Sequence, residues 1–129
     1  MHKTFLSLGA IFGAVAVALG AFGAHGLKKI VAPDSVAVFQ TGVQYQMYHT
    51  LALLIAAVVY ERLSNKWIKR SGYFFSFGIL FFSGSLYLIT VLTAYGKVIP
   101  TAIGIITPVG GIFFICGWLC FLTGVFRRS

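Results

Sequence analysis

No charged side chain interrupts the chain from Thr4 to Ala24, a run of 21 residues. As an α-helix that run measures about 31 Å, the thickness of the hydrocarbon core of a bilayer. A cleavable signal peptide would share some of its marks, with Met1-His2-Lys3 as a basic start and Ala21-Phe22-Gly23 as small residues at a cleavage site. The run is longer than the apolar core of such a leader, so it reads as a first membrane span. The rest of the chain repeats the pattern. Its ten Lys and Arg residues fall in short clusters between apolar stretches: Lys3, Lys28 with Lys29, Arg62 to Arg70, Lys97, and Arg127 with Arg128. Hydrophobic residues make up 59% and charged residues 9%, too few charges to cover a water-soluble domain of 129 residues. The apolar surface must therefore face lipid.

Four spans follow, at about residues 4–24, 38–60, 71–94 and 101–126, all within one domain that takes in 1–129. The second is the least regular. Leu51 to Tyr60 is too short to cross alone, so the helix must reach back through the polar stretch Gln40–Thr50. Asp34 or Ser35, after Pro33, is the expected cap of that long helix. Pro108 is expected either to kink the fourth span or to start its regular part behind Thr107 as cap. All connections are short, which makes helices adjacent in sequence antiparallel neighbours in space. The expected fold class is all-α, an integral membrane four-helix bundle.

Basic residues set the orientation. Lys3, Arg62, Lys66, Lys69, Arg70, Arg127 and Arg128 lie on one side; Lys28, Lys29 and Lys97 lie on the other. Seven against three places the N- and C-termini in the cytoplasm. Tyr60, Trp67 and Tyr73 then sit near the inner interface and Tyr95 near the outer one. A net charge of +8 is not a nucleic-acid footprint here, because the bases are scattered between spans rather than gathered on one face. They suit the anionic headgroups of a plasma (inner) membrane crossed several times.

Small residues organise the packing. Gly9, Gly13, Ala16, Gly20 and Gly23 recur at spacings of four and three and form a smooth seam along the first span. Ser7, Ala10, Ala14, Ala18 and Ala21 widen it, while Phe5, Leu8, Phe12, Val15, Leu19 and Phe22 make one bulky ridge. Such a helix is expected to touch more than one neighbour. Gly110, Gly117 and Gly124 repeat at intervals of seven in the fourth span, and Gly72, Ser76, Ser83 and Thr90 serve the third. Helices in lipid associate through close approach and hydrogen bonds, since burial of apolar surface gains little there.

Chemistry concentrates in the second span. Thr41, Tyr45 and His49 share one helical stripe, and Gln46 and His49 share the next. Polar groups in hydrocarbon must pair or face a wet interior, so Thr41, Tyr45, Gln46 and His49 form the candidate intramembrane site. His49 is suited to proton handling, or, more simply, to a neutral hydrogen bond that fixes helix register. Gln46 is its expected partner. His25, between Ala24 and Gly26, is expected to anchor the exit of the first helix. A haem between His25 and His49 would require one depth for both, which their positions oppose.

No catalytic residue is assigned. Asp34 and Glu61, the only acids, belong to opposite sides of the membrane and cannot cooperate. Ser83-Gly84-Ser85 has no base or acid assigned beside it and reads as helix packing. Cys116 and Cys120 share a helix face and lack further ligands, so no metal and no cofactor is expected. The candidate partners beyond the lipid bilayer are a homo-oligomer or other membrane proteins.

At Gly20-Ala21-Phe22-Gly23-Ala24-His25-Gly26-Leu27, Tyr45-Gln46-Met47-Tyr48-His49, Phe82-Ser83-Gly84-Ser85-Leu86-Tyr87 and Ile106-Thr107-Pro108-Val109-Gly110-Gly111 the chain resembles the YgdD-like family of small membrane proteins, which includes the animal transmembrane protein 256. The resemblance covers nearly the whole chain. It implies four spans in a bacterial-type plasma membrane, and it implies no activity, because the family has none established. Two functions remain open: a polar site on the second helix that binds or passes a small molecule, lipid group or proton, and a non-catalytic assembly or accessory subunit.

Overall fold

The structure, a computed structural model, describes residues 2–127. Helix α1 spans Lys3–Ala24, followed by a single 3-10 turn at Leu27–Lys29. Helix α2 runs over Pro33–Leu63. Helices α3 (Lys66–Gly78) and α4 (Gly84–Ala94) form one rod, joined by a π-helical turn at Ile79–Ser83. Helix α5 covers Thr101–Phe126. Four rods are therefore long and apolar enough to cross a membrane, with no strand among the described residues, and the fold is an all-α membrane four-helix bundle. Arg128 and Ser129 lie outside the described residues, and with Arg128 goes one of the bases in the orientation count.

Caps explain where the helices depart from the expected boundaries. Helix α2 begins at Pro33, close to the expected start of the long helix, with Ala32 at the N-cap and proline at the first helical position, where its missing N–H is no loss. Neither Asp34 nor Ser35 is the cap: the Ser35 N–H already bonds the Ala32 carbonyl, and Asp34 places negative charge in the first turn. Helix α3 begins at Lys66 rather than 71, because the Asn65 side chain accepts from the N–H groups of Trp67 and Ile68 at 3.0 and 3.1 Å. Its amide also donates to the carbonyls of Gly124 and Arg127, tying the start of α3 to the end of α5. Between α2 and α3, Ser64 takes a φ of +22°. Helix α5 starts behind Pro100 and runs through Pro108. Thr107 is not a cap; its hydroxyl pairs with that of Ser85 at 2.6 Å.

Consecutive rods pack on one another, α1 against α2, α2 against α3 and α4, and α3 most extensively against α5. The last pair explains the glycine repeat. Ile68, Phe75 and Phe82 recur at intervals of seven on the α3 rod and meet Gly124, Gly117 and Gly110 in antiparallel register. A Cβ at Gly117 would stand 2.7 Å from the Phe75 ring, and one at Gly124 would stand 2.5 Å from the Ile68 side chain. At Gly110 the neighbour is backbone: a Cβ there would fall 2.7 Å from the Phe82 Cα. Phe114 answers in the other direction by filling the hole left by Gly78. A seven-residue repeat is that of knobs packed into holes at a shallow crossing angle. The π-turn lies where Gly110 meets Phe82.

Helix α1 is peripheral. Gly9, Ala16 and Gly23 are buried on α2, with closest approach at Gly9 against Leu54 and at Gly23 against Phe39 and Gln40. Gly13 and Gly20 are half-buried, and a Cβ at Gly13 would make an ordinary 3.6 Å contact with Thr50. The residues of the bulky ridge differ in burial. Phe5 is fully buried with Ala52, Leu53, Ala57 and Phe75, and Leu8 and Phe12 pack partly against that cluster. At this foot α1 meets α3, where the Phe5 ring sits over Gly72 and meets Tyr73 edge-on at 5.2 Å. His2 caps α1 through Nδ1, stacks on Phe5 at 3.8 Å, and is held below the usual imidazole range by desolvation and then by Lys69.

Candidate functional site

Helix α2 carries polar groups on several faces, and the structure sends them to different neighbours. Gln46, 2% exposed, donates from Nε2 to the Phe12 carbonyl of α1 at 2.8 Å. Its Oε1 accepts from the Tyr87 hydroxyl of α4 at 2.6 Å. It does not touch His49 through a hydrogen bond, so the expected pairing of those two side chains is replaced by a bridge across three helices. Three residues along a helix turn the side chain by about 300°, enough to send Gln46 towards α1 and α4 and His49 towards α5.

His49 is buried against α5. Nδ1 lies 2.7 Å from the Tyr45 carbonyl and Nε2 lies 3.1 Å from the Trp118 indole nitrogen. An indole N–H only donates and a carbonyl only accepts, so this arrangement selects the neutral Nδ1–H tautomer, with Nε2 as acceptor. The imidazole lies flat on Phe114, with centroids 3.5 Å apart and planes inclined by 8°. A proton on Nε2 would set two N–H groups against each other unless the indole swung away.

Tyr45 contributes its carbonyl to His49, while its exposed ring leans on Phe82 at 4.7 Å. Thr41 bonds only within its own helix, to the Ala37 carbonyl at 3.0 Å. Of the four candidates, Gln46 and His49 are buried, Tyr45 lies on the rim, and Thr41 stands apart. His25 is exposed at the end of α1, where its backbone N–H bonds the Phe22 carbonyl. Cys116 and Cys120 are free thiols, half-buried and buried respectively. No group of three or more His, Cys, Asp or Glu side chains that could hold a metal occurs among the described residues.

Sequence reasoning missed the partners. Trp118, Tyr87 and Asn65 each tie two helices, whereas Ser83, already placed on the packing face of the third span, donates to the Gly42 carbonyl at 2.6 Å. Gln40 adds a longer bond to the Gly20 carbonyl at 3.4 Å. A signal for Trp118 was present: a tryptophan well inside an apolar run, away from the interface, carries an N–H that needs an acceptor in hydrocarbon. The hydroxyl of Thr50 alone, among buried side-chain polar atoms of the described residues, has no hydrogen-bond partner.

Between α2 and α5 a groove of about 510 Å³ opens beside this cluster, lined by Tyr45, His49, Pro108, Gly111 and Trp118 among others. Aromatic rings make up much of its wall, with Tyr45, Phe114 and Trp118 around His49.

Long apolar rods joined by interhelical hydrogen bonds define a multi-pass integral membrane protein. The chain belongs to the family described as "Protein of unknown function (DUF423)", whose model matches residues 19–111. It is 42% identical over 118 residues to the UPF0382 membrane protein YwdK of Bacillus subtilis, covering 91% of each chain. With the UPF0382 inner membrane protein YgdD of Escherichia coli it shares 40% identity over 129 aligned positions, covering 97% of this chain and 91% of that one. The expected family and plasma-membrane placement agree with these relatives, and neither name states an activity. No solved structure matches the chain.

Proposed function

We propose that this protein is a non-catalytic membrane subunit, with both termini in the cytoplasm, that associates laterally with other membrane proteins through α1. The observation that carries this reading is the one-sided burial of α1. Its glycine seam lies on α2, while Ser7, Ala10, Ala14, Ala18 and Ala21 form a second row of small residues on the exposed side. Small residues let another helix approach closely enough for dispersion and weak hydrogen bonds to hold it. The polar groups of Gln46 and His49 fit the same reading, because both side chains are engaged in holding helices together rather than left free for a solute.

A photo-activated cross-linker placed at position 14 tests the contact in native membranes. An adduct of twice the 14.0 kDa chain mass identifies a second copy, and another discrete adduct identifies a different membrane protein. Ala18→Leu should abolish either adduct while leaving thermal stability within about 0.5 kcal/mol, as for a substitution away from internal packing. Absence of any discrete adduct would reject the reading. For the orientation, a reporter active only outside the cytoplasm should be silent after Ser129 and active when inserted between Lys28 and Asp34.

The groove beside His49 favours a second reading, in which an apolar small molecule dissolved in the membrane enters between α2 and α5. The Tyr45 hydroxyl, which makes no hydrogen bond among the described residues, would then supply the polar contact. Proton passage fits less well, since both ring nitrogens of His49 are already occupied.

A further inference from the structure

At the end of the bundle where α3 begins and α5 ends, three cations converge on one indole. The ring centroid of Trp67 lies 4.9 Å from the Arg70 guanidinium carbon, 5.6 Å from that of Arg127 and 5.9 Å from the Lys66 ammonium. Cation–π attraction to the indole face offsets part of their mutual repulsion. The convergence is built in. Arg70 follows Trp67 by three residues on α3, and the Arg127 backbone is fixed by the Asn65 amide across the two helices.

Arg70 also lines a second feature. Below it, a groove of about 310 Å³ runs between α3 and α5, walled by Tyr73, Phe74, Phe77 and Phe113. From Arg70 to Phe77 the helix rises about 10 Å, so the groove leads from the charged end into the hydrocarbon region. We propose that this is a binding site for an anionic phospholipid of the leaflet at this end of the bundle. The phosphodiester lies between Arg70, Arg127 and Lys66, and one acyl chain lies along Tyr73, Phe77 and Phe113. Guanidinium groups match the oxygens of a phosphate two at a time, which a zwitterionic choline headgroup would oppose with its own cation. The apolar walls recognise the chain, so a free phosphate meets only half of the site.

The test uses the full chain purified in an uncharged detergent. Dioleoyl phosphatidylglycerol should raise the melting temperature, while dioleoyl phosphatidylcholine and inorganic phosphate at equal concentration should not. Arg70→Gln and Arg127→Gln should each lose most of that shift, and Lys97→Gln, at the other end of the bundle, should keep it. Phosphatidylglycerol brominated on its acyl chains should quench tryptophan fluorescence more than brominated phosphatidylcholine does, a readout that needs no variant. Equal responses to the two lipids would overturn the proposal. So would a full response to phosphate alone, or an undiminished shift in both arginine variants.

Discussion

Gly110→Ala should lower the melting temperature more than alanine at any other glycine of α5. The added methyl meets the backbone of Phe82 in the π-turn, which cannot rotate away as a side chain can. Overpacking of this kind costs roughly 1–3 kcal/mol, and the rigid neighbour puts this site at the upper end. Helix propensity works in the other direction, by about 1 kcal/mol for alanine over glycine, so the net loss should be about 2 kcal/mol. Gly104→Ala is the control. Nothing lies within 4 Å of a Cβ built there, so only the propensity gain remains and stability should hold or rise. Gly9→Ala should fall between them, because the Leu54 methyls that it meets can turn aside. Thermal melting in detergent ranks the three. If Gly110→Ala and Gly104→Ala melted together, α5 could not approach the π-turn as closely as described.

The repeat of Gly110, Gly117 and Gly124 was legible in the sequence because glycines at a fixed helical interval in an apolar run leave a groove that only a close neighbour can fill. What it packs against was not legible. Ile68, Phe75 and Phe82 carry the matching interval, yet they stand among other large residues that mask it, and Phe82 lies within a π-turn that no local pattern announces. The spans were readable from the charge-free runs, but their ends were set by caps. Asn65 extends α3 back into a basic cluster, and charge at an interface does not stop a helix. In α1 the alternation of small and bulky residues suggested a smooth side and a rough side. Burial of Phe5 depends instead on a hole at Gly72, sixty-seven residues away in the chain. The polar stripe on α2 raised the same difficulty. Helical spacing grouped Gln46 with His49, whereas the partners that separate them, Phe12 and Tyr87 on one side and Trp118 on the other, come from three other helices.

Those partners give the second large effect, at Gln46. Gln46→Leu removes two hydrogen bonds that join α1, α2 and α4, and it takes from the Tyr87 hydroxyl its 2.6 Å acceptor, leaving Ser83 as the other side chain within reach. A single interhelical hydrogen bond in a membrane averages about 0.6 kcal/mol and reaches about 1.7. Two such bonds together are worth about 1.2–3.4 kcal/mol, so the variant should lose about 2 kcal/mol. Tyr87→Phe removes only one of the bonds and should cost about 1 kcal/mol. The double variant separates a tie from a pocket. If the two side chains hold each other, Gln46→Leu with Tyr87→Phe should be less damaging than the two single losses added, by about 0.6–1.7 kcal/mol, because each single variant already removes the bond they share. Unfolding of all four proteins in mixed micelles supplies the cycle. A Gln46→Leu protein as stable as the parent would mean that the amide is not engaged between the helices. The polar stripe of α2 would then be free for a solute, and the reading of this protein as a subunit with a locked interior would fail.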